Sequence, residues 1–306
     1  MIARVGDRGM RVTIVGAGLM GAQIGCEYAL GGHKVKLVAR NAAAALERAE
    51  AALRLLGELG LMAPAEADAA RERITVDDLE SAADCDLAVE SVPEDLALKV
   101  ELLEVVASAS PAATLATNTS SLSVSELGRR LNAPGRTIGT HYWNPPLLMP
   151  LVEVVPGEST APAVVDRVER TLRALGKRPV RSADVPGFVW NRLQMALLRE
   201  AMWIVENGVA SAETVEEILT HGLGRRWRRV PFFTAIALGG VGTWQQASSN
   251  LLPEVSAATE IGDLARWTPT DDELLAAATA RRDRGLAADL LEDRGATAAP
   301  EPDGGG

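Results

Sequence analysis

Glu153 sits in Leu151-Val152-Glu153-Val154-Val155, a run that is otherwise wholly apolar. A carboxylate within a buried strand is costly unless something pairs with it. His141, at the end of the preceding strand-like segment, is the obvious partner. A carboxylate on one ring nitrogen fixes the imidazole tautomer and stabilises its protonated form, so the other nitrogen can take a proton from an alcohol. A histidine met alone is more often an ordinary hydrogen-bonded residue, and Glu153 turns the reading towards catalysis. Ser120, in the turn Thr117-Asn118-Thr119-Ser120-Ser121, follows a further strand-like segment, and Gly187-Phe188-Val189-Trp190-Asn191-Arg192 opens a helical stretch. Ligands of open α/β sheets collect beyond the carboxyl ends of the strands, where Ser120 and His141 fall. His33 and His221 lack such neighbours and read as structural.

A second constellation suits a dinucleotide. The apolar run Arg11-Val12-Thr13-Ile14-Val15 leads directly into Gly16-Ala17-Gly18-Leu19-Met20-Gly21, with a helical segment and another strand-like segment after it. In this pattern Gly16 permits the tight turn, Gly18 lets the backbone approach a pyrophosphate, and Gly21 lets helix and strand pack closely. The amides of Leu19 and Met20 open the helix and point its positive end at the phosphates. Dinucleotide folds commonly end the second strand with a carboxylate that binds both ribose hydroxyls. Here the sequence reads Val38-Ala39-Arg40-Asn41. A carboxylate would repel a 2′-phosphate, whereas arginine pairs with one through charge-assisted hydrogen bonds. The expected cofactor is therefore NADP(H), with NAD and a merely surface-exposed Arg40 as the alternative.

These residues must be held by a sizeable framework, and 306 residues are enough for two domains. A hydrophobic content of 47% and a charged content of 24% are ordinary for a globular protein. The net charge of −10 argues against nucleic acid or an anionic membrane surface as the main partner. The apolar runs are too short for a membrane span, and no signal-peptide pattern precedes Met10. Cys26 and Cys85 fit packing roles in a reducing cytoplasm. The three histidines and two cysteines are scattered without metal-ligand spacing, so no metal is expected.

Short apolar segments at residues 12–15, 35–38, 86–91, 114–117, 137–141, 151–155 and 178–181 alternate with helical patterns. That alternation predicts an α/β fold with a doubly wound, Rossmann-type sheet. Residues 42–73 read as two helices broken near Gly60 and Pro64. After Val185-Pro186-Gly187 the pattern becomes all helical, with 188–207 and 212–219 clearest. The expected domains are 1–185 for the dinucleotide and 186–295 for substrate and dimerisation, followed by a disordered tail at 296–306. Trp190, Trp203, Trp227, Trp244 and Trp267 enrich the helical part, which suggests a core plus a homodimer seam.

The glycine turn, Asn118-Thr119-Ser120-Ser121, His141 with Asn144-Pro145, Glu153 and Asn191-Arg192 together resemble the L-3-hydroxyacyl-CoA dehydrogenase family over residues 11–219. Val92-Pro93-Glu94-Asp95-Leu96, Asn191-Arg192-Leu193-Gln194 and Gly222-Leu223-Gly224 resemble its L-gulonate 3-dehydrogenase (lambda-crystallin) and L-carnitine dehydrogenase branch most. The resemblance implies an NAD(P)-dependent oxidoreductase acting on a small β-hydroxy or β-keto acid. It implies that His141 is the base oriented by Glu153, and that Ser120 and Asn191 hold the reacting oxygen. Glu94 and Lys99 match positions on the nicotinamide-side ribose, and Asn118 a position near the carboxamide.

Three departures bear on substrate. Leu55 and Met62 stand where members that use CoA place a serine and a lysine. Phe233 and Ile236 replace expected acidic residues, and Arg225-Arg226-Trp227-Arg228-Arg229 offers either a clamp for an anionic group or a solvated helix end. Tyr142 and Trp143 read as packing aromatics or as a wall for a cationic ligand. The competing expectation is a thioester on CoA or an acyl carrier protein. A non-catalytic, crystallin-like role would have been favoured by loss of the His–Glu pair.

Overall fold

The computed structural model describes residues 9–260, 262–266 and 268–298. In chain order, β1 (Arg11–Val15), α1 (Leu19–Leu30), β2 (Lys34–Val38), α2 (Ala42–Glu58), α3 (Pro64–Arg71) and β3 (Ile74–Asp77) form the first half of a sheet with its covering helices. The second half comprises α4 (Leu79–Ala82), β4 (Leu87–Glu90), α5 (Leu96–Ala109), β5 (Thr114–Thr117), α6 (Val124–Arg130) and β6 (Thr137–Tyr142). Then come β7 (Leu151–Pro156), α7 (Pro162–Ala174) and β8 (Arg178–Arg181). The eight strands lie in the order β3-β2-β1-β4-β5-β6-β7-β8. The first six are parallel, β7 is antiparallel to β6, and β8 is parallel to β7.

The first six strands have the doubly wound order, in which the chain leaves β3 at one edge and crosses to β4 on the far side of β1. The crevice beyond the carboxyl ends of β1 and β4 is thus the topological switch point. Strands β4 and β5 are buried at every position, as expected where helices cover both faces. The core joins Ile14, Leu37, Val89, Ala116, Ile138 and Val154 across the sheet.

One strand was not anticipated. Ile74-Thr75-Val76-Asp77 is an edge strand, partly exposed along its length and preceded by Arg71-Glu72-Arg73, so it carries no apolar run. The helical reading of 42–73 resolves into α2 and α3, with Pro64 at the first helical position of α3.

The chain divides into two compact units, one running through Val189 and resuming at Ala276, the other Trp190–Leu275. The second unit contains α8 (Trp190–Glu206), α9 (Ala212–Glu217), a π-helical stretch Ile218–Gly224, α10 (Arg225–Arg229), α11 (Phe232–Leu238) and α12 (Val241–Leu251). The last helix, α13 (Asp272–Ala298), reaches three residues into the expected tail. Residues 299–306 of that tail, and Trp267, lie outside the described residues.

Candidate active site

β1 delivers the chain to Gly16, whose φ of +98° only glycine adopts readily. A Cβ there would press on Val92 Cγ1 at 2.7 Å and on the Ser91 backbone at 2.9 Å. A Cβ on Gly21 would overlap the carbonyl oxygen of Gly16, so helix and turn can approach only with glycine present. Gly18 differs: a Cβ there meets nothing within 4 Å, leaving open space over the turn. No side chain caps α1 at Gly18, and its first turn holds no acid. The leading amides of Leu19 and Met20 are therefore left to an anion. This uncapped, glycine-cleared helix start fits a pyrophosphate. Beyond β2, Ala39 is half-buried and Arg40 exposed. Asn41 is committed locally, its Oδ1 accepting the Ala44 N–H at 3.0 Å as the cap of α2.

Across the switch point β4 ends in Glu90, which is fully buried and which the sequence reading passed over. Its Oε1 accepts from Lys99 Nζ at 2.7 Å and from the Val92 N–H at 2.6 Å, and its Oε2 from Thr117 Oγ1 at 2.6 Å. Burial pushes this carboxyl up, opposed by Lys99 and by the hydrogen bonds it accepts. Lys99 is itself buried and also donates to the Val92 carbonyl at 3.2 Å and faces Glu94 Oε2 at 3.4 Å. Lys99 thus joins Glu90, the Val92 carbonyl and Glu94 at the carboxyl end of β4. Glu94 Oε1 in turn accepts from Thr119 Oγ1, Ser120 N–H, Ser121 N–H and Ser121 Oγ at 2.6 to 2.9 Å. The turn that presents Ser120 is thereby tied to β4 and α5. Asn118 Oδ1 accepts the Tyr142 N–H at 2.8 Å, fixing the same turn to β6 beside His141.

His141 and Glu153 are directly opposed in the antiparallel β6–β7 pair. Opposed residues project to one face, and His141 Nδ1 lies 2.8 Å from Glu153 Oε2 with both side chains almost fully buried. A carboxylate at Nδ1 selects the Nδ1–H tautomer and leaves Nε2 as the basic nitrogen. The loop joining the two strands is held from below. Lys177 Nζ donates to the Pro146 and Met149 carbonyls at 2.6 and 3.0 Å and lies 3.3 Å from Glu27 Oε2. Burial, against the pull of Lys177, raises the Glu27 carboxyl to about 7.

The first unit thus gathers Ser120, Glu94, Asn118, His141 and Glu153 on the carboxyl side of the sheet, where the glycine turn also opens. Asn191 lies in the first turn of α8, in the second unit. Tyr142 packs in the core with Tyr28 and forms no exposed wall. His33 is buried, its Nδ1 accepting the Met10 N–H at 3.1 Å, and His221 is exposed. Met62 packs against the core. Both cysteines are buried free thiols, and the described residues contain no cluster able to hold a metal.

Residues 11–185 match the family model of the 3-hydroxyacyl-CoA dehydrogenase NAD binding domain, and residues 187–283 that of its C-terminal domain. The chain is 32% identical over 260 residues to 5-formyl-3-hydroxy-2-methylpyridine 4-carboxylate 5-dehydrogenase of Mesorhizobium japonicum, covering 83% of each sequence. It is 39% identical over 240 residues to L-carnitine dehydrogenase of Streptomyces griseus, covering 76% of this chain and 70% of the relative. The crystal structure of a 5-formyl-3-hydroxy-2-methylpyridine 4-carboxylic acid 5-dehydrogenase, described as an NAD+ dependent dismutase, superposes with a TM-score of 0.82 at 28% identity. That match covers 90% of this chain and 96% of the other.

Proposed function

The chain belongs to the 3-hydroxyacyl-CoA dehydrogenase family, and we propose that it interconverts the 3-hydroxyl and 3-keto forms of a small β-hydroxy acid or its derivative. The buried His141–Glu153 pair, set face to face by strand register, carries this reading. A bound nicotinamide supplies the hydride acceptor or donor. His141 Nε2 takes the hydroxyl proton during oxidation and returns it during reduction, while Glu153 holds the ring and stabilises its cationic form. Ser120 and Asn191 are assigned to the reacting oxygen, the latter from its match to the family motif alone. Met62 and Leu55 in place of polar CoA contacts favour a free acid over a thioester.

The nucleotide we propose is NADP(H), because Ala39 removes the ribose carboxylate and Arg40 is exposed beside it. The second unit is read as a homodimer seam, and the free thiols agree with a reducing compartment such as the cytoplasm. The test is cofactor titration followed by turnover of 3-hydroxybutyrate, L-carnitine and 3-hydroxybutyryl pantetheine. His141→Ala is expected to lower turnover about 10²- to 10⁴-fold while cofactor affinity is kept; unchanged turnover removes the mechanism. Arg40→Ala is expected to weaken NADP binding about tenfold, roughly one charge-assisted hydrogen bond, and to leave NAD unaffected. Tighter binding of NAD than NADP in the parent protein rejects the nucleotide assignment. Turnover of the pantetheine ester alone transfers the substrate to the thioester class.

A further inference from the structure

Before α8 begins, Val185-Pro186-Gly187-Phe188 forms a tight turn. Phe188 N–H donates to the Val185 carbonyl at 3.0 Å, with proline second and Gly187 third at φ +77°. The chain then does something unusual. Phe188 itself has φ +49°, a left-handed backbone that a bulky aromatic residue rarely takes. Such strain persists only where surroundings hold it, and it concentrates at functional sites. Here the surroundings are identifiable. The ring is fully buried against Val124 and Val155, and its centroid is 5.6 Å from that of His141 at an interplanar angle of 61°. Upstream, Asp184 anchors the segment to the start of α6, accepting from the Val124 and Ser125 N–H groups at 3.0 and 2.8 Å and from Ser123 Oγ at 2.9 Å. Downstream, the next amide, Val189 N–H, donates to Glu153 Oε1 at 3.0 Å.

We infer that Phe188 is a positioning residue for the His141–Glu153 pair, a role that rests on the reaction proposed above. Its left-handed turn does two things together. It sets an apolar ring edge-on against the imidazole, and it aims the following N–H at the Glu153 oxygen that does not face His141. With one oxygen held by Val189 and the other by His141 Nδ1, the carboxylate cannot rotate, so the imidazole plane is fixed. The ring also keeps water from competing for the Nδ1–H···Oε2 bond. An extended residue at position 188 would send the next amide elsewhere and lose both effects.

Phe188→Ala, Phe188→Leu and Phe188→Gly test this in the full-length protein. Phe188→Ala is expected to reduce kcat roughly 10- to 100-fold, as for a small misplacement of a catalytic group, with KM and the Kd for NADP or NAD within about twofold. Phe188→Leu restores the apolar cover and recovers most of kcat. Phe188→Gly relieves the left-handed strain and melts higher than Phe188→Ala, yet stays as slow. The chain has only three histidines, so the downfield Nδ1 proton of His141 can be assigned by its absence in His141→Ala. That signal is expected to weaken in Phe188→Ala and to persist in Phe188→Leu, and it needs no substrate. A parent protein without turnover on any probe defeats the proposed reaction. A parent protein that turns over, with kcat and the Nδ1 proton unchanged in Phe188→Ala, overturns the positioning role alone, as does Phe188→Leu being as slow as Phe188→Ala.

Discussion

Glu94 shows how one carboxylate can organise the loop that presents Ser120. Burial alone would raise its acid form, yet Thr119, Ser121, the Lys99 charge and the Ser120 N–H bring it from 4.5 down to about 2. A carboxyl depressed in the folded state stabilises the protein above its ordinary range and ceases to do so as pH falls through the folded value. Glu94→Gln is therefore expected to lower the melting temperature by a constant amount from about pH 6 to 8. The gap should close between about pH 4.5 and 2 as the parent carboxylate is protonated. Thermal melts across this range check it, and a gap of full size at pH 3 would contradict the assignment. The neighbouring Glu90 could have been found by the argument that found Glu153, since both are carboxylates on otherwise apolar strands. It ends β4 beside a turn-like sequence, so it reads as solvent-facing until Lys99 and Thr117 are seen to close over it.

The β1–turn–α1 element separates two uses of glycine that look identical in sequence. Gly21 serves packing, because a Cβ there meets the immovable carbonyl of Gly16. Gly18 has no such packing partner, since a Cβ there would stand in open space, and access for the cofactor is its proposed use. Gly21→Ala is expected to destabilise the protein by about 1–3 kcal/mol, as overpacking against backbone does. Gly18→Ala should leave stability within about 0.5 kcal/mol while weakening cofactor binding at least tenfold, read by denaturation and by nucleotide titration. Loss of stability in Gly18→Ala without loss of affinity would reject the pyrophosphate role. Elements buried on both faces, β1, β4 and β5, were legible because their apolar runs are bounded by turns. The half-exposed edge strand β3 was not, because only pairing with β2 defines it. The His141–Glu153 pairing was readable from a costly carboxylate, whereas the left-handed Phe188 has no sequence signature beyond the Pro186-Gly187 before it.

The two units differ in how well they bury themselves. The first contains the continuous cores around the sheet. In the second, Met202 is the one hydrophobic side chain buried among the described residues, while Phe233 is 81% and Leu238 77% exposed. Leu251 and Leu252 are exposed as well, on the segment that ends α12. Large exposed apolar side chains of this kind suit an association face, in keeping with the homodimer seam proposed above. Each large apolar side chain buried is worth about 1.5–3 kcal/mol, so losing two of them should raise a dimer Kd by at least about 100-fold. On the proposed homodimer, the double variant Phe233→Glu, Leu238→Glu is expected to run at 32.3 kDa by light scattering and the parent at twice that mass. Its first unit should still bind nucleotide, because the glycine turn and its supports lie wholly within that unit. A parent protein that stays monomeric at micromolar concentration would leave the second unit to be covered by something other than its own copy.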